Sequence, residues 1–98
     1  MDGNKSIVVT FKTLEEESIM RLSLKSYRDY EVIPVPTVIS VTCGIAHRYE
    51  DNFFNAVVEP IYEDKLANGE LLKEDVHFYI EEERGRRYSA FTVGGGQR

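Results

Sequence analysis

Ser6-Ile7-Val8-Val9-Thr10-Phe11-Lys12-Thr13-Leu14-Glu15-Glu16-Glu17 reads as a strand handing over directly to a helix. The first six residues are rich in β-branched side chains and almost wholly apolar, the pattern of a central strand buried on both faces. Thr13 followed three residues later by Glu16 has the spacing of a capping box, and Glu15, Glu16 and Glu17 place negative charge in the first turn. A helix is therefore expected from Leu14 to about Tyr27. Met20, Leu24 and Tyr27, with Leu14 and Ile19 beside them, supply the stripe that lies on a sheet.

Working outward, Arg28-Asp29 makes a turn and Tyr30-Glu31-Val32-Ile33 reads as a second strand. Pro34 and Pro36 each remove a backbone donor, so the stretch from Pro34 to Thr42 is expected to be an edge strand or a constrained connection. Gly44 to Tyr49 reads as a third strand, with Ile45, His47 and Tyr49 on one face and Ala46 and Arg48 on the other. Glu50-Asp51-Asn52 starts a second helix whose stripe is Phe53, Val57 and Ile61, backed by Phe54 and Val58. Pro60 is expected to kink that helix or to start a second piece running toward Leu66, and Asn68-Gly69 closes it. Val76–Ile80 and Arg87–Val93 are two further strand-like runs, joined by the hairpin turn Glu83-Arg84-Gly85-Arg86.

The order strand, helix, strand, strand, helix, strand, with one more strand at the C-terminus, matches an α+β fold of the ferredoxin-like split β-α-β sandwich type (βαββαβ). Residues 1–98 read as a single domain, with its core at about 6–82 and a C-terminal strand and tail over 84–98.

Composition narrows the function. The chain has 98 residues, 12 basic against 17 acidic side chains and a formal net charge of −5. That balance argues against a general nucleic-acid binder, which needs a basic face. No apolar run approaches the ~20 residues needed to cross a bilayer, and the start MDGNKS has no signal-peptide layout, so a cytoplasmic protein is expected. A single cysteine excludes an internal disulfide framework and a zinc site of several thiolates, so neither metal nor cofactor is expected.

That cysteine, Cys43, stands at the junction of the proline-constrained segment and the third strand, with Gly44 directly after it. A thiol at such a bend can sit beside free backbone N–H groups that favour the thiolate. Gly44 leaves room for an approaching reagent and tolerates unusual backbone angles. Ser40 and Thr42 can donate hydrogen bonds to the anion, and His47 and Arg48 can supply positive charge. The competing reading is a small buried hydrophobe, the commonest role of a lone cysteine.

Val32-Ile33-Pro34-Val35-Pro36-Thr37-Val38-Ile39-Ser40-Val41-Thr42-Cys43-Gly44-Ile45-Ala46 resembles the signature of the DUF3343 family, small selenium/sulfur carrier-like proteins. The matching positions are Val9-Thr10-Phe11, Ile33 through Pro36, Ile39-Ser40 and Cys43 through Ala46, and Arg48-Tyr49 resembles the ending of the strand that follows. The likeness spans roughly residues 6–66. Thr37 replaces the arginine usual after the second proline, Pro60 interrupts the second helix, and the chain from Arg84 onward exceeds the typical length.

The resemblance implies a carrier in which Cys43 takes a persulfide or perselenide from a donor such as a cysteine desulfurase and passes it on. Such a protein needs a reachable, low-pKa thiol and no deep pocket. The alternative is a non-catalytic ferredoxin-like interaction or regulatory module, with Phe78, Tyr79, Tyr88 and Phe91 serving a homodimer or another partner. A carrier or binding protein is expected rather than an enzyme. A Cys43–His47 catalytic pair four residues apart on one strand is too widely spaced for a hydrogen bond at about 3.3 Å rise per residue.

Other charged residues take plainer readings. His47 and His77 are expected to be structural. The runs Glu15–Glu17 and Glu81–Glu83 are expected to be a helix start and a solvated strand end. Arg84, Arg86 and Arg87 are read as a solvated hairpin tip, and Gly94-Gly95-Gly96 as a flexible end.

Overall fold

The computed structural model describes residues 5–39, 44–83 and 85–93. Its elements follow the expected order. β1 is Ser6–Phe11, α1 is Leu14–Ser23, β2 is Tyr30–Pro34 and β3 is Ile45–Glu50. A second helical rod combines α2 (Asp51–Phe53), a π-helical turn (Phe54–Val58) and α3 (Glu59–Ala67). A short 3-10 turn, Lys73–Asp75, leads into β4 (Val76–Glu82), and β5 is Arg87–Phe91.

The five strands form one antiparallel sheet in the order β2-β3-β1-β4-β5. β1 lies at its centre, and all of Ile7 to Phe11 are buried. Ile7, Val9 and Phe11 face the helices and join Met20, Leu24, Phe54, Val58, Tyr62 and Phe78 in the main core. Val8 faces the other way. There it meets Ala46 and Ile39, with Ile33, Val35, Tyr79 and Tyr88 packed around them, in a smaller second cluster. The molecule is thus an α+β domain with its helices on one face of an antiparallel sheet.

Helix α1 begins as its capping residues dictate. Thr13 is extended (φ −130°, ψ 158°), its Oγ1 accepts from the Glu16 N–H at 3.2 Å, and its own N–H donates to Glu16 Oε1 at 3.1 Å. The helix stops at Ser23 rather than near Tyr27. Ser23 Oγ donates back to the Ile19 carbonyl at 2.9 Å, a local bond that competes with the helical ladder. Tyr27 lies beyond the helix, yet its ring still meets Phe53 edge-on at 5.4 Å.

The second rod differs from the expected kink. Pro60 has no N–H to give a residue four back. The chain meets this with the wider π turn over Phe54–Val58, where the Glu59 N–H reaches the Phe54 carbonyl. A π turn takes in more residues per revolution than an α turn. The fully buried stripe is accordingly Phe54, Val58 and Tyr62, while Val57 and Ile61 of the expected stripe sit at its margin.

Pro34 ends β2, which is an edge strand, and so its missing donor breaks no ladder. Past it the chain is a constrained connection: the Val35 N–H donates to the Gly44 carbonyl at 3.3 Å and the Ile39 N–H to the Pro36 carbonyl at 3.0 Å.

Candidate functional site

The sequence points to the loop between β2 and β3. Its members Ser40, Thr42 and Cys43 lie outside the described residues. Its two flanks are defined. On one side, Ile39 is buried on Val8 and Ala46. On the other, Gly44 is exposed, with φ at +93°, and a Cβ built there would meet nothing within 4 Å. An L side chain is strained at that φ even with open space around it, so the local geometry calls for glycine. The Val35–Gly44 hydrogen bond closes the base of the loop.

On the face of the sheet that carries Val8 and Ala46 stands Thr10. Its register partners are Ala46 on β3 and His77 on β4. The side chain is completely buried (0% exposed), and Oγ1 has no hydrogen-bond partner among the described residues. A buried, unpaired hydroxyl costs roughly 1–3 kcal/mol, so it is an uncommon feature. His77 is exposed.

His47 is placed elsewhere. Alternation along β3 turns it toward α1, where it is fully buried. Nε2 lies 2.8 Å from Glu17 Oε2 and Nδ1 lies 2.6 Å from the Tyr49 hydroxyl. One proton arrangement satisfies all three groups: Tyr49 O–H donates to Nδ1, and Nε2–H donates to the Glu17 carboxylate. The imidazole is then neutral, in accord with burial lowering the His47 pKa against the opposing pull of Glu17. Burial alone would raise the Glu17 carboxyl, but its bonds to Arg21 and His47 hold it below its ordinary value. Arg21 grips Glu17 through Nε at 2.9 Å and a second nitrogen at 3.1 Å. Burial pushes the Tyr49 hydroxyl well above the tyrosine range. With both ring nitrogens engaged in the core, His47 is a structural residue and is not free to serve a thiol.

Arg48, the other candidate cation, is also committed. Its guanidinium binds Glu81 in a two-point contact at 2.8 and 3.0 Å and Glu31 at 2.8 Å. The Tyr88 hydroxyl completes the row by donating to Glu81. Burial raises the Glu81 carboxyl, but the bonds from Arg48 and Tyr88 hold it below its ordinary value. Burial and the neighbouring Glu81 carboxylate push Tyr88 up to about 12. The row Glu31–Arg48–Glu81–Tyr88 thus ties β2, β3, β4 and β5 together across the face opposite the helices.

Glu17 and Glu81 correct the reading of the two acidic runs, because each run contains one buried, paired carboxylate. Glu17 was detectable: it stands three and seven residues before Met20 and Leu24, on the same helical stripe. The aromatics of the last two strands serve this chain's own packing. Phe78 is buried, Phe91 packs on the main core, and Tyr79 and Tyr88 pack on the second cluster. At the hairpin tip, Arg87 pairs with Glu83 at 3.2 Å, both exposed; Arg84 lies outside the described residues, as do Gly94 to Gly96.

Among the described residues no group of three or more His, Cys, Asp or Glu side chains is placed to hold a metal ion. No helix among them is long and apolar enough to cross a membrane. A cleft of about 310 Å³ opens where β4 begins and β5 ends, lined by Tyr62, Lys73, His77, Phe78, Phe91 and Val93 among others. The chain matches no protein-family model, no curated protein and no solved structure.

Proposed function

We propose that this protein is a thiol-based carrier of sulfane sulfur or selenium, with Cys43 as the accepting atom. The observation that carries the reading is the residue directly after that cysteine. Gly44 is exposed and held at φ +93°, at the base of a loop closed by the Val35–Gly44 hydrogen bond. The space around Gly44, the residue that follows the chain's single thiol, is open, and a carrier needs no deeper pocket. The resemblance of residues 32–46 to the DUF3343 signature supports the same role.

The chemistry is thiol exchange. The Cys43 thiolate attacks the outer sulfur of a donor persulfide, the donor's S–S bond breaks, and the donor leaves as a thiolate while Cys43 holds the S–SH group. Delivery is the same step in reverse, with an acceptor thiolate attacking and the Cys43 thiolate leaving. Ser40 and Thr42 donate to the anion in this scheme. A persulfide-bearing enzyme such as a cysteine desulfurase is the donor, and a reducing, cytoplasmic setting keeps the thiol available.

The ferredoxin-like arrangement belongs to the same proposal. It is supported by the strand order β2-β3-β1-β4, with helical segments inserted after β1 and β3 and β5 added beside β4. An interaction module built on the aromatics of β4 and β5 is the less favoured reading, since those rings pack within this chain.

Incubation with a cysteine desulfurase and cysteine, followed by intact-protein mass spectrometry, tests the carrier. Gain of one sulfur by the wild type and none by Cys43→Ser is the expected result. No gain on the wild type, or equal gain on the variant, overturns it.

A further inference from the structure

We infer that the cleft where β4 begins and β5 ends is a binding site for a small organic anion, a carboxylate carried on an aromatic body. The inference is independent of the carrier reading. The cleft measures about 310 Å³, at the lower end of the ~300–1,000 Å³ usual for ligand sites. Three observations give it an occupant of that chemistry.

The first is a hydroxyl. Tyr62 comes to the cleft from α3, is only 1% exposed, and has no hydrogen-bond partner among the described residues. Burial alone acts on its titration, and raises it. A buried tyrosine O–H ordinarily finds an acceptor, and the open space that Tyr62 borders is this cleft.

The second is charge. The chain carries 17 acidic residues and a formal net charge of −5, yet no carboxylate stands among the described residues that line the cleft. Lys73 and His77 line it instead. Both are exposed, and neither makes an ion pair or a side-chain hydrogen bond among the described residues. A lysine ammonium brings three donors on a flexible stem. An anion entering here meets that cation on the solvent side and the Tyr62 hydroxyl on the buried side.

The third is the aromatic wall. Tyr62 meets Phe78 edge-on with ring centroids 4.8 Å apart, and Phe78 meets Phe91 at 5.8 Å with a tilt of 42°. Phe78 and Val93 are buried, and Phe91 packs on the same core. Rings held in this way accept a further ring edge-on or offset, at centroid separations of about 4.5–7 Å. A bare inorganic anion would leave that wall facing water, and a neutral aromatic would leave Lys73 and the Tyr62 hydroxyl unused.

The test is a titration of the 15N-labelled full chain with phenylacetate, phenylacetamide and acetate, followed through the amide resonances. Phenylacetate is expected to bind saturably and to move the amides of Val76, His77 and Phe78 and of Phe91, Thr92 and Val93. Phenylacetamide has the shape without the charge, and acetate has the charge without the ring. Each is expected to bind at least about tenfold more weakly. Lys73→Gln is expected to bring phenylacetate down to the level of phenylacetamide, and Tyr62→Phe to weaken it about threefold to tenfold. The dispersion of the amide spectrum shows whether each variant is folded. Lys73 is exposed, so its arm decides the question if Tyr62→Phe fails to fold. Shifts that never saturate, shifts scattered away from the cleft, equal affinity for phenylacetate and either relative, or wild-type affinity in either folded variant overturn the inference.

Discussion

His47 Nε2 lies 2.8 Å from Glu17 Oε2, and neither side chain is exposed to solvent. The contact joins α1 to β3 through the middle of the main core. Because the imidazole donates to a buried carboxylate, removing the acceptor leaves an unsatisfied N–H and a small void. Glu17→Ala is expected to cost about 2–4 kcal/mol in urea unfolding, and Glu17→Gln about half as much because its carbonyl still accepts. A Glu17→Ala midpoint equal to that of the wild type would show that the contact contributes nothing.

The same pair sets an acid limit on stability. Both folded pKa values are depressed, His47 from 6.5 and Glu17 from 4.5. In each case the unfolded chain binds more protons below the ordinary value, so stability is fully present above it and falls as pH drops. Thermal unfolding of the wild type is expected to weaken first on descending through pH 6.5 and again below 4.5. His47→Gln, which cannot titrate, should have a lower midpoint that stays level across the first of these steps. Parallel curves for the two proteins would rule His47 out as the cause.

On the opposite face, Tyr88 titrates late because its hydroxyl is partly buried and donates to Glu81. Its folded pKa is raised to about 12, so the bond contributes below the ordinary value of 10 and is lost as pH rises through 12. Ultraviolet titration of tyrosinate should show Tyr88 ionising near that value, and Glu81→Gln should bring it down. An unchanged alkaline profile in Glu81→Gln would break the assignment.

Thr13→Ala removes the half of the α1 capping box in which Oγ1 accepts from the Glu16 N–H, and keeps the backbone N–H bond to Glu16 Oε1. Loss of a threonine cap costs about 1 kcal/mol, which should lower the urea midpoint without changing the slope.

Gly44→Ala separates strain from steric conflict. With nothing within 4 Å of the new Cβ, the cost comes only from the left-handed backbone, about 1–2 kcal/mol. A loss well beyond that, seen by chemical denaturation, would mean that the open space is not there.

Local signals account for what could be read from residues alone. The β-branched run of β1, the Thr13–Glu16 spacing, the glycine of the hairpin and the alternation of β3 each act over a few residues, and each element formed where they point. Glu17 and Glu81 were misread because charge is ordinarily solvated, and one compensating partner of each, His47 and Arg48, is remote in sequence. The stripe of the second rod shifted from Val57 and Ile61 toward Phe54, Val58 and Tyr62 because Pro60 is absorbed by a π turn, which a period of 3.6 does not anticipate. At the candidate site, Gly44 was legible from its place after Cys43. The unpaired hydroxyl of Thr10 was not, since within β1 it looked like one more β-branched strand residue.

The central place of β1 also governs how the chain assembles. Its two neighbours are β3 and β4, and Ser6 pairs with both Glu50 and Glu81. As the polypeptide emerges from the ribosome, the most apolar strand therefore appears first and is completed last. One of its edges stays open until β4 has been made. Contacts of such long sequence separation slow the search for the native state compared with helical bundles, which fold in about microseconds to milliseconds. Insertion of the β4–β5 hairpin beside β1 is then the closing event of folding, and a nascent chain halted before Val76 presents a sticky edge suited to a chaperone.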